Sequence, residues 1–243
     1  MRVAFLLTGN AQTYEFCFPS TKKHILDVYN PDVFLCTNTE CVKTVELYHP
    51  KDYAILSSEF IIGEAIWFRT AKHGIPKYDL LKEKDLEANW KVLHCNMMKQ
   101  SSELSSNFKY DVVIVGRFDV KYCYIQPIEK VEENVLYIPF KDAHQQFPGA
   151  DGLTYKGYSN QLCWMTSKTA DNLIGETLFG DVDYVRESGF KVNDEPEKLL
   201  KYVCDAKGIR RQFVNIGAMI IKGTSIEPLA HDFGSMERYP EYL

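Results

Sequence analysis

Tyr110-Asp111-Val112-Val113-Ile114-Val115-Gly116-Arg117-Phe118-Asp119-Val120 is the stretch whose reading decides the fold. Val112 to Val115 is continuous, apolar and β-branched. Such a run reads as a strand buried on both faces, which is the habit of strands in a mostly parallel sheet. A sheet covered on both sides needs helices, and the flanking sequence supplies them. Upstream, Asp85 to Leu104 carries Leu86, Trp90, Leu93, Met97 and Leu104 near helical spacing. Downstream, Val135 to Pro139 reads as the next strand, and Lys168 to Leu178 as a helix.

The beginning of the chain repeats the theme. Val3 to Leu7 is a short apolar run stopped by Thr8-Gly9-Asn10, and reads as a buried strand. Pro19 opens a helical stretch that Asn30-Pro31 ends. Val33 to Cys36 is a second buried strand, and the connection is long enough to make the two parallel. Val42 to Leu47 reads as a small helix and Tyr53 to Leu56 as a strand, while residues 58 to 80 give no firm assignment. Gln161 to Met165 reads as a strand or edge. Asn193-Asp194-Glu195-Pro196-Glu197 opens a helix that closes near Gly208. Arg210 to Ile221 holds one or two strands, and Glu227 to Leu243 reads as a surface tail. The alternation predicts an α/β fold, a central mostly parallel sheet flanked by helices. A length of 243 residues suits one domain over residues 1–243.

Composition narrows the function. The chain is 45% hydrophobic and 25% charged, as an ordinary globular domain is. Its formal net charge of -5 disfavours nucleic acid as the main partner. Seven cysteines are scattered without a CxxC pair, so they read as reduced thiols packed as small hydrophobes. No run approaches the length of a membrane span, and Val3 to Leu7 is too short for a signal peptide. The expectation is a cytoplasmic protein.

Open α/β sheets bind ligands beyond the carboxyl ends of their strands, so the loops there hold the candidates. Arg117 and Asp119 follow the long buried strand, and on an extended backbone they would point to one side. Asp is a hard oxygen ligand for a divalent metal, and Arg a planar fork for phosphate. A plain ion pair closing the strand is the competing reading, and the residues leave both open. Thr8-Gly9-Asn10 could let a ligand approach closely, or be an ordinary turn. It is not GxGxxG, which disfavours a dinucleotide site. Asp151, in Phe147-Pro148-Gly149-Ala150-Asp151-Gly152, is either a turn residue or a carboxylate for an acceptor hydroxyl. Glu197 belongs to a helix start whose acidic residues suit the dipole, or project a base into a cleft. His231, beside Asp232, could complete a metal site if the tail folds back.

Together these segments resemble the GT-A glycosyltransferases of bacterial polysaccharide synthesis and of large DNA viruses of algae. The residues that carry the resemblance are the strand-and-turn opening and Asn30-Pro31-Asp32-Val33-Phe34-Leu35. Lys109 to Ile114 running into Arg117-Phe118-Asp119 is similar, as is Glu195-Pro196-Glu197-Lys198-Leu199-Leu200 with Gly208-Ile209. The resemblance implies a single GT-A-like domain, a nucleotide-diphosphate sugar donor, a glycan or glycoprotein acceptor, and Mn2+ or Mg2+. It implies that Thr8, Gly9 and Asn10 embrace the nucleoside. Asp119 would stand at the metal-binding carboxylate of the family's DXD motif, with Arg117 where the first Asp usually lies. Asp151 and Glu197 would be the acceptor-side catalytic carboxylates. Two other readings stay open: a non-catalytic nucleotide-sugar or glycan-binding module, and a sugar-phosphate nucleotidyltransferase.

Overall fold

The computed structural model describes residues 1–9, 13–38, 42–67, 83–139, 162–179, 200, 203–222 and 225–228. Their centre is a seven-stranded mixed sheet. Its first four strands in the chain are β1 (Val3–Thr8), β2 (Asp32–Asn38), β3 (Asp52–Leu56) and β4 (Val112–Arg117). The remaining three are β6 (Val135–Pro139), β7 (Leu162–Met165) and β8 (Arg210–Val214). The spatial order is β3-β2-β1-β4-β7-β6-β8. The pairs β3–β2, β2–β1, β1–β4 and β6–β8 are parallel, and β7 alone runs antiparallel to its two neighbours. A second sheet of order β10-β9-β5 is built from β5 (Val120–Ile125), β9 (Ile216–Lys222) and β10 (Ser225–Pro228).

The α/β expectation is met, and the physical reason is visible residue by residue. In β1 and β4, alternate side chains feed two different cores. Ala4, Leu6, Val113 and Val115 face one, beneath α4 (Ser58–Trp67), α5 (Glu83–Ser106) and α6 (Ser167–Phe179). Val3, Phe5, Leu7, Val112 and Ile114 face the other, which Ile25 and Tyr48 cover from the helical segments between β1 and β3. Those segments are α1 (Tyr14–Thr21), a π-helical turn Lys22–Leu26, α2 (Asp27–Tyr29) and α3 (Lys43–Tyr48). Apolar side chains on both faces are what the uninterrupted Val112–Val115 run required.

Four local expectations need correction. Pro19 does not open the first helix, which starts at Tyr14 and carries the proline inside it. Burial of Cys17 and Thr21 on that segment overrides the proline's missing hydrogen bond. The chain does not stay extended through Arg117-Phe118-Asp119: β4 ends at Arg117, Phe118 and Asp119 turn, and β5 leaves for the second sheet. On α5, Met97 and Leu104 are exposed, while Lys99 and Glu103 are buried. Glu227 and Pro228 are the end of strand β10 rather than part of a surface tail. The interval without a firm assignment begins with helix α4.

Among the described residues no helix is long and apolar enough to cross a membrane. Six described cysteines are free, and all but Cys123 are buried. Burial pushes the Cys36, Cys163 and Cys204 thiols up to about 12, so they stay protonated and inert near neutral pH.

Candidate functional site

The strand order places one edge above the others as a ligand site. From β1 the chain passes outward to β2 and β3, then returns to the opposite side of β1 as β4. The order reverses between β1 and β4. Ligands of open α/β sheets sit at the carboxyl ends of strands at such a switch point, where the connections diverge and leave a crevice.

The residues at those two carboxyl ends are Thr8-Gly9 and Arg117-Phe118-Asp119. Thr8 lies opposite Arg117 in the parallel register. The Phe118 N–H donates to the Thr8 carbonyl at 3.0 Å, tying the turn after β4 to the end of β1. Gly9 has φ +119, a conformation L side chains rarely adopt. A Cβ there would lie 3.4 Å from Asp119 Oδ1 and 3.5 Å from Arg117 Cβ. Gly9 itself packs against the charged pair, where a Cβ would make ordinary contact, so its positive φ rather than lack of room is what favours glycine.

Arg117 and Asp119 form a two-pronged ion pair. Nε donates to Oδ1 at 2.8 Å and Nη2 to Oδ2 at 2.6 Å. The Asp119 side chain is 8% exposed and that of Arg117 23%. Burial opposes the charge on Arg117, but Asp119 outweighs it and raises the guanidinium further above its ordinary value. Beneath them, burial pushes the Cys17 thiol up to about 11, with the Asp119 charge adding to the shift. Tyr122, fully buried, brings its hydroxyl close to Gly116, where a Cβ would meet it at 3.0 Å. The same Cβ would strike Phe5 Cε2 at 2.7 Å, so the last turn of β4 accepts only glycine without repacking. At the rim, Lys121 lies over the exposed Phe16 ring, 5.3 Å from its centroid.

A second polar group occupies the same edge one strand further out. Asn38, the last residue of β2, donates from Nδ2 to Ser58 Oγ at 2.6 Å and to Glu87 Oε1 at 3.0 Å. Lys91 Nζ donates to the same Glu87 oxygen at 2.6 Å. The Asn38 amide is thereby fixed with its Oδ1 on the other side, buried and without a partner among the described residues. Burial would raise the Glu87 carboxyl, but the bonds from Lys91 and Asn38 outweigh it and hold it below its ordinary value. The sequence reading missed this group. Its one signal was Thr37-Asn38-Thr39, a polar strand end like the one that drew attention to Thr8.

The structure thus brings together Thr8, Gly9, Arg117 and Asp119. Asn10, Asp151, Glu197 and His231 lie outside the described residues, so it neither joins them to this edge nor separates them from it.

A divalent metal would need several hard oxygen or imidazole ligands. Among the described residues no group of three or more His, Cys, Asp or Glu side chains could hold one. Asp119 already turns both oxygens to a cation, the Arg117 guanidinium. The described residues at this edge do not fit a resident Mn2+ or Mg2+.

No family model and no curated protein matches this chain.

Proposed function

We propose that this chain is a glycosyltransferase that takes a sugar from a nucleotide-diphosphate donor and passes it to a glycan hydroxyl. One observation carries the reading. Thr8 and Gly9 at the end of β1 meet the Arg117–Asp119 pair at the switch point between β1 and β4. A nucleotide diphosphate needs a cationic fork for its phosphates and a close-lying backbone for its nucleoside. Both are side by side here.

The chemistry assigns roles. Glycosyl transfer loads negative charge onto the departing diphosphate, and prearranged N–H donors aimed at that charge lower the barrier. Arg117 is the donor at hand. Helix α1 follows β1 as the crossover to parallel β2, so its amino end lies at the same edge and favours anions there. The acceptor base is assigned to Asp151 or Glu197, either of which would take the proton of the attacking hydroxyl.

The test is release of free nucleoside diphosphate from a panel of UDP-, GDP- and dTDP-sugars, alone and with simple sugar acceptors. Release that needs Arg117 is expected with one donor class. Binding without release or transfer would indicate a module rather than an enzyme. Pyrophosphate release from nucleoside triphosphates with a sugar phosphate would indicate a nucleotidyltransferase.

A further inference from the structure

Asp119 stands where the resemblance puts a metal-binding carboxylate, yet both of its oxygens face a guanidinium. The pairing involves one particular edge of that group. A guanidinium carries five N–H bonds in a plane. Asp119 takes one from Nε and one from Nη2, the side edge of the plane. Three remain, two on Nη1 and one on Nη2; one from each nitrogen forms the end edge, and the second on Nη1 points to the far side. No described residue accepts from that edge, and the side chain keeps 23% of its surface open.

We propose that Asp119 is a positioning residue for Arg117, and that the end edge of Arg117 receives the donor diphosphate in place of a divalent metal. The inference rests on the glycosyltransferase reading above. Two parallel N–H bonds at the end of an arginine match two phosphate oxygens. Asp119 fixes the plane in advance, so little side-chain freedom is lost on binding. It also makes a largely buried cation tolerable before the donor arrives. Gly9 packs against the same pair, and the Phe118–Thr8 hydrogen bond ties the turn to the end of β1. The carboxylate therefore works through the arginine and does not touch the donor.

Calorimetric titration of the full chain with UDP, GDP, ADP and dTDP tests this, once in EDTA and once with Mn2+. At least one nucleotide is expected to bind with a Kd that differs by less than about threefold between the two conditions. Arg117→Lys keeps the charge and loses the fork, and is expected to weaken that binding about tenfold or more in both. Asp119→Asn is expected to weaken it in both as well, with no recovery on adding Mn2+. Binding that appears only with Mn2+ would overturn the proposal and leave the glycosyltransferase reading standing. No binding of any of the four in either condition would overturn both. If Asp119→Asn does not fold, the wild-type comparison with and without metal decides by itself.

Discussion

Two charged clusters in this molecule, one between α5 and α6 and one at the β1–β4 switch point, differ in what they leave unused. On α5 and α6, Lys99 donates to Ser167 Oγ at 2.6 Å and to Asp171 Oδ1 at 2.7 Å. Glu103 accepts from Ser167, from Lys109 and from the Tyr110 N–H. The Lys99 and Glu103 side chains are 0% and 1% exposed. Every charge there is answered from several sides, and the group locks α5 to α6 and to the approach to β4. At the switch point, Arg117 has one hydrogen-bonded partner among the described residues, Asp119, and keeps part of its surface open. A closed network gives up its hydrogen-bonding capacity to the fold, whereas an open one keeps capacity for a ligand. That difference, rather than the presence of charge, separates the candidate site from the scaffold.

The contrast has measurable consequences. Glu103→Ala leaves Lys99 short of a partner and the Tyr110 N–H unanswered, and is expected to cost about 3–5 kcal/mol in urea unfolding. Where the variant is folded, nucleotide affinity should stay at the wild-type value. A loss of affinity with unchanged stability would erase the distinction between the clusters. Gly116→Ala drives a Cβ into the fully buried Phe5 ring and is expected to cost about 1–3 kcal/mol. It should also weaken nucleotide binding, because Arg117 is the next residue. Arg117→Ala is expected to lose about 1–2 kcal/mol of stability, less than Glu103→Ala, and to lose nucleotide binding almost entirely.

The smallest effect is on acid stability. Burial would raise Glu103 and Asp171, but hydrogen bonds from Lys109 and Ser167 to the first, and from Lys99 to the second, hold both below their ordinary values. Carboxylates with lowered folded values contribute stability above about pH 4.5, and it is lost as pH falls through those values. The urea midpoint should therefore decline below about pH 4.5, and less steeply in Glu103→Gln.

The sheet was readable because its strands are extreme. Val112 to Val115 and Val3 to Leu7 are apolar at every position, a pattern that needs cover on both faces. Strand β5 was not readable, because Arg117-Phe118-Asp119 looks like a continuation of β4, and nothing local marks the turn there. Lys99 and Glu103 drew no attention in the sequence because their partners Ser167 and Asp171 are more than sixty residues away in the chain. The site was half legible. Strand ends pointed to Thr8, Gly9, Arg117 and Asp119, and the register of β1 with β4 joined them. Which edge of the guanidinium stays open depends on side-chain geometry, which no spacing encodes. Glu87 and Lys91 were hidden for the same reason as Lys99: a helix position does not announce which strand end it overhangs.

The central claim is that the β1–β4 switch point holds a nucleotide diphosphate. The most direct test is thermal unfolding of the wild type and of Arg117→Ala against UDP, GDP, ADP, dTDP and their sugars. A ligand at about a hundredfold its Kd stabilises by about 2.7 kcal/mol, which raises the midpoint of a chain this size by about 5–10 °C. The account expects such a rise in the wild type with one nucleotide class, and none in Arg117→Ala. A rise of equal size in both proteins, or no rise with any nucleotide, would contradict it.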